Sequence, residues 1–342
     1  MTTKTILLVC TGGTIGSAAT GGTIDTTDTA PFELLRQFQA HYPDYRSVAF
    51  KTIRPLTLLS ENLVPADWAT LMMAIAAEQP AQFDGIIITH GTDTLSFTAA
   101  ALSFYFHALA TPILLVSSDY PLTDDRANGL ANFTCAVDFI RQPSQPSQAG
   151  VFVPYQNPQQ TMQVHRGNRL AASLQLSGDF FSVQHKSYMQ YQAGKFTVLN
   201  PLNIAQRAAY ALSPQFSGRV LMIKPYPGLD YRTVNLDTAD AVLHDLYHSG
   251  TACASPTGDG HHALPAFIKR CQAQNVAVYL APILQSPNAY HSTRLLIEQG
   301  AQVLWNLSIE AAYAKLLLAY GNFSRHDDIV AFMSADIAGE HL

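Results

Sequence analysis

The chain is poor in charge. Only 13% of its 342 residues are Asp, Glu, Lys or Arg, and 20 basic against 25 acidic side chains leave a net charge of −5. That balance gives no reason to expect nucleic acid or an anionic membrane as a partner. No apolar run reaches membrane-spanning length, and the run Ile6–Val9 is too short for a signal-peptide core. Four cysteines (Cys10, Cys135, Cys253 and Cys271) stand singly without a CxxC pair, which offers neither a zinc site nor a disulfide framework. A cytoplasmic location is the expectation. With 48% hydrophobic residues the chain is an ordinary folded protein, and its length suits two domains better than one.

Short apolar strands alternate with helical stretches. Thr5–Val9, Asp84–Thr89 and Thr111–Ser117 read as buried parallel strands, because they are β-rich and lack polar alternation. Helices are expected near Pro31 onward, over Thr94–Ala108 and over Asn128–Ile140. "GVFVPYQNPQQTMQVHRGNRL" carries the turn residues of a hairpin. Beyond it, "GRVLMIKPYPG" and "VAVYLAPI" are strands, while Thr238–His248, Pro265–Gln274 and Ser308–Tyr320 are expected helical. The fold class is α/β with two α/β domains. Residues 1–199 form a larger N-terminal domain with a mainly parallel sheet and a hairpin, 200–217 a linker, and 218–342 a smaller C-terminal domain with a parallel sheet. Ligand sites in such folds lie outside the carboxyl ends of the strands.

The first strand runs into "TGGTIGSAATGGTID", which opens a loop of about twenty residues with two Gly clusters before the next helix. No Gly-Lys-Ser/Thr follows, and no GxGxxG opens a helix, so neither phosphate template applies. Gly12 and Gly13 alone read equally well as a tight turn. The second motif, "THGTDT", sits where a buried strand ends and a buried helix begins. Exposed amides and the positive end of the helix dipole there suit an anionic group such as a carboxylate, although Asp93 by itself also reads as a helix cap. His244 and His248, four apart on the expected helix, have no carboxylate at metal-ligand spacing and read as packed or solvated side chains.

Together "TGGTIG" and "THGTDT" resemble the L-asparaginase family, of the bacterial, cytoplasmic type. "LLSENL", "SSDYPLTDDRANGLANF", "RGNR" and "NLSIEAAYAKLLLAYG" follow in family order, so the resemblance covers most of the chain. It implies an amidohydrolase that splits L-asparagine into L-aspartate and ammonia with a threonine nucleophile and no metal or other cofactor. Thr14 matches the nucleophile on a lid and Thr92 the second catalytic threonine. Asp93 matches the carboxylate that binds the substrate's α-amino group. Ser60, Glu61, Gly91 and Ser118 match substrate-binding positions. The resemblance also implies a homodimer or homotetramer acting on a small amide.

Four departures stand against that pattern. The family's lysine after "RGNR" is replaced by Ala172. No tyrosine lies between Thr14 and Tyr42, and "SGTACASP" stands where a Gly-Asn turn is common. Glu61 replaces a neutral amide, and a carboxylate beside a substrate carboxylate repels it unless protonated or paired. Two alternatives therefore stay open. The chain could hydrolyse a different small amide, or it could be an asparaginase-like binding or regulatory protein with impaired catalysis.

Overall fold

The computed structural model describes residues 3–13, 15, 17–20, 23–26, 30–142, 149–201, 210–255 and 260–342. The chain divides into two compact units, Met1–Pro214 with Ile337–Gly339, and Gln215–Asp336 with Glu340–Leu342. Among the described residues no helix is long and apolar enough to cross a membrane.

The larger unit carries β1 (Lys4–Cys10), β2 (Ser17–Thr20), β3 (Thr23–Thr26), α1 (Ala30–His41), β4 (Val48–Ile53), α2 (Pro65–Ala77), β5 (Gly85–Thr89), α3 (Leu95–Tyr105), β6 (Ile113–Val116), α4 (Gly129–Arg141), β7 (Val151–Tyr155), β8 (Met162–Arg166), β9 (Met189–Gln192) and β10 (Lys195–Val198). Eight strands make one sheet in the order β10-β9-β8-β7-β6-β5-β1-β4. The pairs from β7 through β4 are parallel, and β7-β8, β8-β9 and β9-β10 are antiparallel. β5 and β6 are buried throughout, as continuous apolar runs in the middle of a parallel sheet should be. Ile6, Leu8, Ile87 and Leu114 pack with Phe38 of α1 and Phe133 of α4 in one core cluster. Each such side chain, fully buried, contributes about 1.5–3 kcal/mol. α3 is buried on nearly every side, and α2 is pinned to it by Trp68 Nε1 donating to Thr98 Oγ1 at 2.9 Å.

The smaller unit carries β11 (Val220–Ile223), β12 (Ala241–His244), α5 (Leu264–Ala273), β13 (Ala277–Ile283), α6 (His291–Glu298), β14 (Gln302–Trp305), α7 (Ile309–Asn322) and α8 (His326–Ser334). Its four strands are parallel in sequence order. Val242, Val278, Leu280, Phe267 and Leu296 centre its core. Lys315 of α7 and Glu340, both fully buried, form an ion pair at 2.5 Å. The lysine also donates to the carbonyls of Ala335 at 2.5 Å and Met333 at 3.3 Å, so the buried ammonium is saturated with acceptors.

Two local expectations are corrected. The stretch after β1 is not all loop, since β2 and β3 form an antiparallel hairpin, Ser17 facing Thr26. Gly21 and Gly22, the second Gly cluster of that stretch, lie outside the described residues. Thr238–His248 is not a helix: its centre is β12, parallel to both β11 and β13. Backbone pairing with two neighbours overrides a weak helical period in so short an apolar run.

Candidate active site

Three loops converge at the carboxyl ends of β1 and β5. Leaving β1, Thr11 is buried and its Oγ1 donates to the Thr89 carbonyl at 2.7 Å. Gly12 then pairs with Leu58 in a parallel bridge, Leu58 N–H donating to Thr11 O and Gly13 N–H to Leu58 O, both at 3.1 Å. Gly13 has φ +75°, and a Cβ on it would fall 2.3 Å from the backbone nitrogen of Gly91. Only glycine permits that approach. The "TGGT" and "THGTDT" segments therefore touch backbone to backbone at Gly13 and Gly91. Thr14 itself lies outside the described residues.

Ser60 binds the third loop into this corner. Buried at the start of the 3₁₀ turn Ser60–Asn62, its hydroxyl accepts from Asp93 N–H and donates to the Asp93 carboxylate, each at 3.2 Å. Its carbonyl accepts from Thr94 Oγ1 at 3.0 Å. A Cβ on Gly91 would lie 2.3 Å from Ser60 Oγ, so the fit again requires glycine. The N-cap position of α3 is held by Thr94, without a side-chain cap, and not by Asp93, whose exposed carboxylate reaches instead to Ser60. Thr92 is half-buried beside it, and Glu61, next to Ser60, is exposed.

Ser118 takes its hydrogen bonds on the turn after the neighbouring strand. It lies just past β6, fully buried, with its Oγ donating to Tyr120 O at 2.5 Å and accepting from Gly129 N–H at 3.2 Å. Its hydroxyl is engaged in shaping the β6–α4 turn. His90 is 1% exposed with Nδ1 on the Gly91 carbonyl at 2.7 Å, and burial pushes its pKa down from 6.5 to about 4. A carbonyl only accepts, so Nδ1 carries a proton, and the lowered pKa leaves the ring neutral near pH 7. Thr11 and Thr94 lie within the two motifs, as the first residue of "TGGTIG" and the last of "THGTDT", yet the family resemblance assigns them no role. Their places at a strand end and a helix start are the signal that could have found them. Among the described residues no group of three or more His, Cys, Asp or Glu could hold a metal ion.

Past β8, Leu170 bridges to Ser182 and Ala171 N–H donates to Phe181 O at 3.1 Å, which leads directly to exposed Ala172. Lys186 is exposed at the end of the 3₁₀ turn Val183–His185. His244 and His248 do not share a helix face. His244 ends β12, buried, with Tyr231 Oη on Nε2 at 2.8 Å.

Comparison with known proteins agrees with this architecture. Along its whole length the fold is similar to the thermostable L-asparaginase from Thermococcus kodakarensis (TM-score 0.78, 24% identity, 99% of each chain). It is equally similar to L-asparaginase I from Vibrio cholerae, again with TM-score 0.78, 24% identity and 99% of each chain covered. In sequence the chain is 27% identical over 354 residues to a glutamyl-tRNA(Gln) amidotransferase subunit from Methanosphaera stadtmanae, spanning 98% of this chain and 76% of the relative. The corresponding protein from Metallosphaera sedula is 24% identical over 347 residues, with the same two coverages. Residues 5–204 match the family profile described as asparaginase, N-terminal, and that stretch, more than half of the sequence, holds every loop of the corner just described: the chain belongs to the asparaginase family.

Proposed function

We propose that the protein is an asparaginase-type amidohydrolase that converts L-asparagine to L-aspartate and ammonia. The observation that carries this reading is the backbone contact of Gly13 with Gly91, with Ser60 linking the same corner to the Asp93 carboxylate. In this scheme the Thr14 hydroxyl attacks the carboxamide carbon and backbone N–H groups hold the oxyanion. The C–N bond breaks, ammonia leaves with the proton it gains, and water hydrolyses the Thr14 ester to release the acid. Thr92 hands protons on, and Asp93 holds the substrate's ammonium group. Ser60, Gly91 and Ser118 shape the binding site. Two or more copies assemble in this reading, which sedimentation tests directly.

Ala172 offers no proton acceptor where the family resemblance puts a lysine. Positioned bases contribute about 10²–10⁴-fold, so turnover is expected to be slow by that order. Ammonia release from a panel of small amides, compared with Thr14→Ala, tests the assignment. Release that survives Thr14→Ala removes the threonine mechanism. Ala172→Lys is expected to raise turnover and Lys186→Ala to leave it unchanged.

Exposed Glu61 beside Ser60 favours a second reading within the same chemistry. An amide whose far end is neutral or cationic avoids the repulsion that an α-carboxylate meets there. Faster hydrolysis of such an amide than of asparagine, reversed by Glu61→Gln, selects it.

A further inference from the structure

The segment Arg166–Arg169 supplies nothing to the reaction scheme, yet Arg166 and Asn168 are only 4% and 2% exposed. Its side chains take hold of backbone far along the chain. Asn168 Nδ2 donates to Ala338 O at 2.9 Å, Arg169 Nε to Gly339 O at 2.7 Å, and Arg166 Nη2 to Ala338 O at 3.5 Å. Ile337 and Ala338 are buried, and both belong with Gly339 to the larger unit. Two successive carbonyls, costly to bury unpaired, are thus satisfied by one amide and two guanidinium groups.

The opposite side of the segment rests on α3. A Cβ on Gly167 would lie 2.8 Å from Ala99 O and 2.9 Å from Ser103 Oγ, so the 3₁₀ turn Gly167–Arg169 sits directly against the helix that Thr92 and Asp93 precede. Downstream, Leu170 is bridged to Ser182, and the Ser182 hydroxyl is held by His165 Nδ1 at 2.8 Å. Residue 172 follows immediately.

We propose that Asn168 and Arg169 are positioning residues that, by gripping the carbonyls of Ala338 and Gly339, fix the course of Leu170–Ala172 and hence the placement of residue 172 relative to α3. The inference rests on the amidohydrolase reading, because position 172 matters only if amide hydrolysis occurs. Its consequence is that a lysine at 172 works only while the grip holds. Misplacing a catalytic group by about 1 Å costs on the order of 10²-fold.

The test compares the parent with Ala172→Lys, Arg169→Met, Arg169→Lys and the two Arg169 changes combined with Ala172→Lys. Ammonia release gives kcat and KM separately, hydrogen exchange reports on Leu170–Ser182, and thermal unfolding confirms folding. The expected result is that Arg169→Met speeds exchange in Leu170–Ser182 and erases the kcat gain of Ala172→Lys with KM unchanged. Arg169→Lys keeps part of that gain, and it decides the matter if Arg169→Met does not fold. Unchanged exchange, or faster exchange with the kcat gain intact, overturns the positioning role while hydrolysis stands. Absence of ammonia from both the parent and Ala172→Lys overturns the amidohydrolase reading, and the inference with it.

Discussion

Two strands from different sheets end alike and then diverge. β5 and β12 are both fully buried, and each brings a histidine to its carboxyl end, His90 and His244. Each ring binds the carbonyl of the next residue through Nδ1, at 2.7 Å for His90 and 2.5 Å for His244. Burial holds both pKa values down at about 4. After His90 come Gly91, Thr92 and Asp93 and then at once α3, whose first turn adds amides and a partial positive charge. After His244 the Asp245 carboxylate is used by Leu246 N–H at 2.8 Å, Tyr231 closes over the ring, and the next helix among the described residues begins only at Leu264. A buried strand end with a neutral histidine is a structural device in both places. What makes one of them a candidate site is the helix start and the second glycine loop delivered against it.

The most severe test of that contrast exchanges carboxylate for amide at both ends. Asp93→Asn removes the charge that would hold an ammonium group, an interaction of about 1.5–3 kcal/mol, so kcat/KM should fall by about 10- to 10²-fold. Asp245→Asn should leave hydrolysis at the parental level. Equal losses would mean that the two ends differ less than their surroundings suggest.

Acid should expose what the two ends share. His90, His165 and His244 have folded pKa values of about 4 against an ordinary 6.5, lowered chiefly by burial. Between those values the unfolded chain binds more protons than the folded one. Their stabilisation is therefore complete above about pH 6.5 and is lost as pH falls towards 4, at up to about 1.4 kcal/mol per pH unit for each histidine. Urea unfolding at stepped pH reads this slope. His90→Gln and His244→Gln should flatten it equally, and unequal flattening would show that the Asp93 carboxylate near His90 alters its titration.

The contrast also marks what can be read from residues alone. β1, β5, β6, α3 and α4 are legible because continuous apolar runs, a nearly all-apolar helix and an amphipathic one each suit one kind of packing. The paired threonine motifs announce the corner where the larger unit brings its loops together. β12 is not legible: "AVLH" within "TADAVLHDLYH" is too short to show its period, and its neighbours β11 and β13 decide it. α2 and α8 are not marked by their periodicity either, although Pro65 at the first turn of α2 is a usable start signal. The grip of Arg166–Arg169 on Ala338 and Gly339 spans 170 residues and has no local signature. Nothing in "RGNR" tells a surface charge from a donor to a distant carbonyl.

The smallest effect lies at the closed end. Tyr231→Phe keeps the ring stacked on Phe267, where the centroids are 4.6 Å apart, but removes the hydroxyl donating to His244 Nε2. A buried acceptor left without its donor costs about 1–3 kcal/mol, so stability at neutral pH should fall by that amount while amide hydrolysis stays unchanged. The pH dependence sharpens the prediction. Burial is the main cause of the lowered His244 pKa. Donation to Nε2 adds to it by favouring the neutral ring, so losing the hydroxyl should raise that pKa. The variant then has less stability to lose on acidification, and the gap between Tyr231→Phe and the parent should narrow as pH falls from about 6.5 to 4. A gap that stays constant across that range would show that Tyr231 supports the strand end by packing alone, and that His244 owes its neutrality to burial without the phenol.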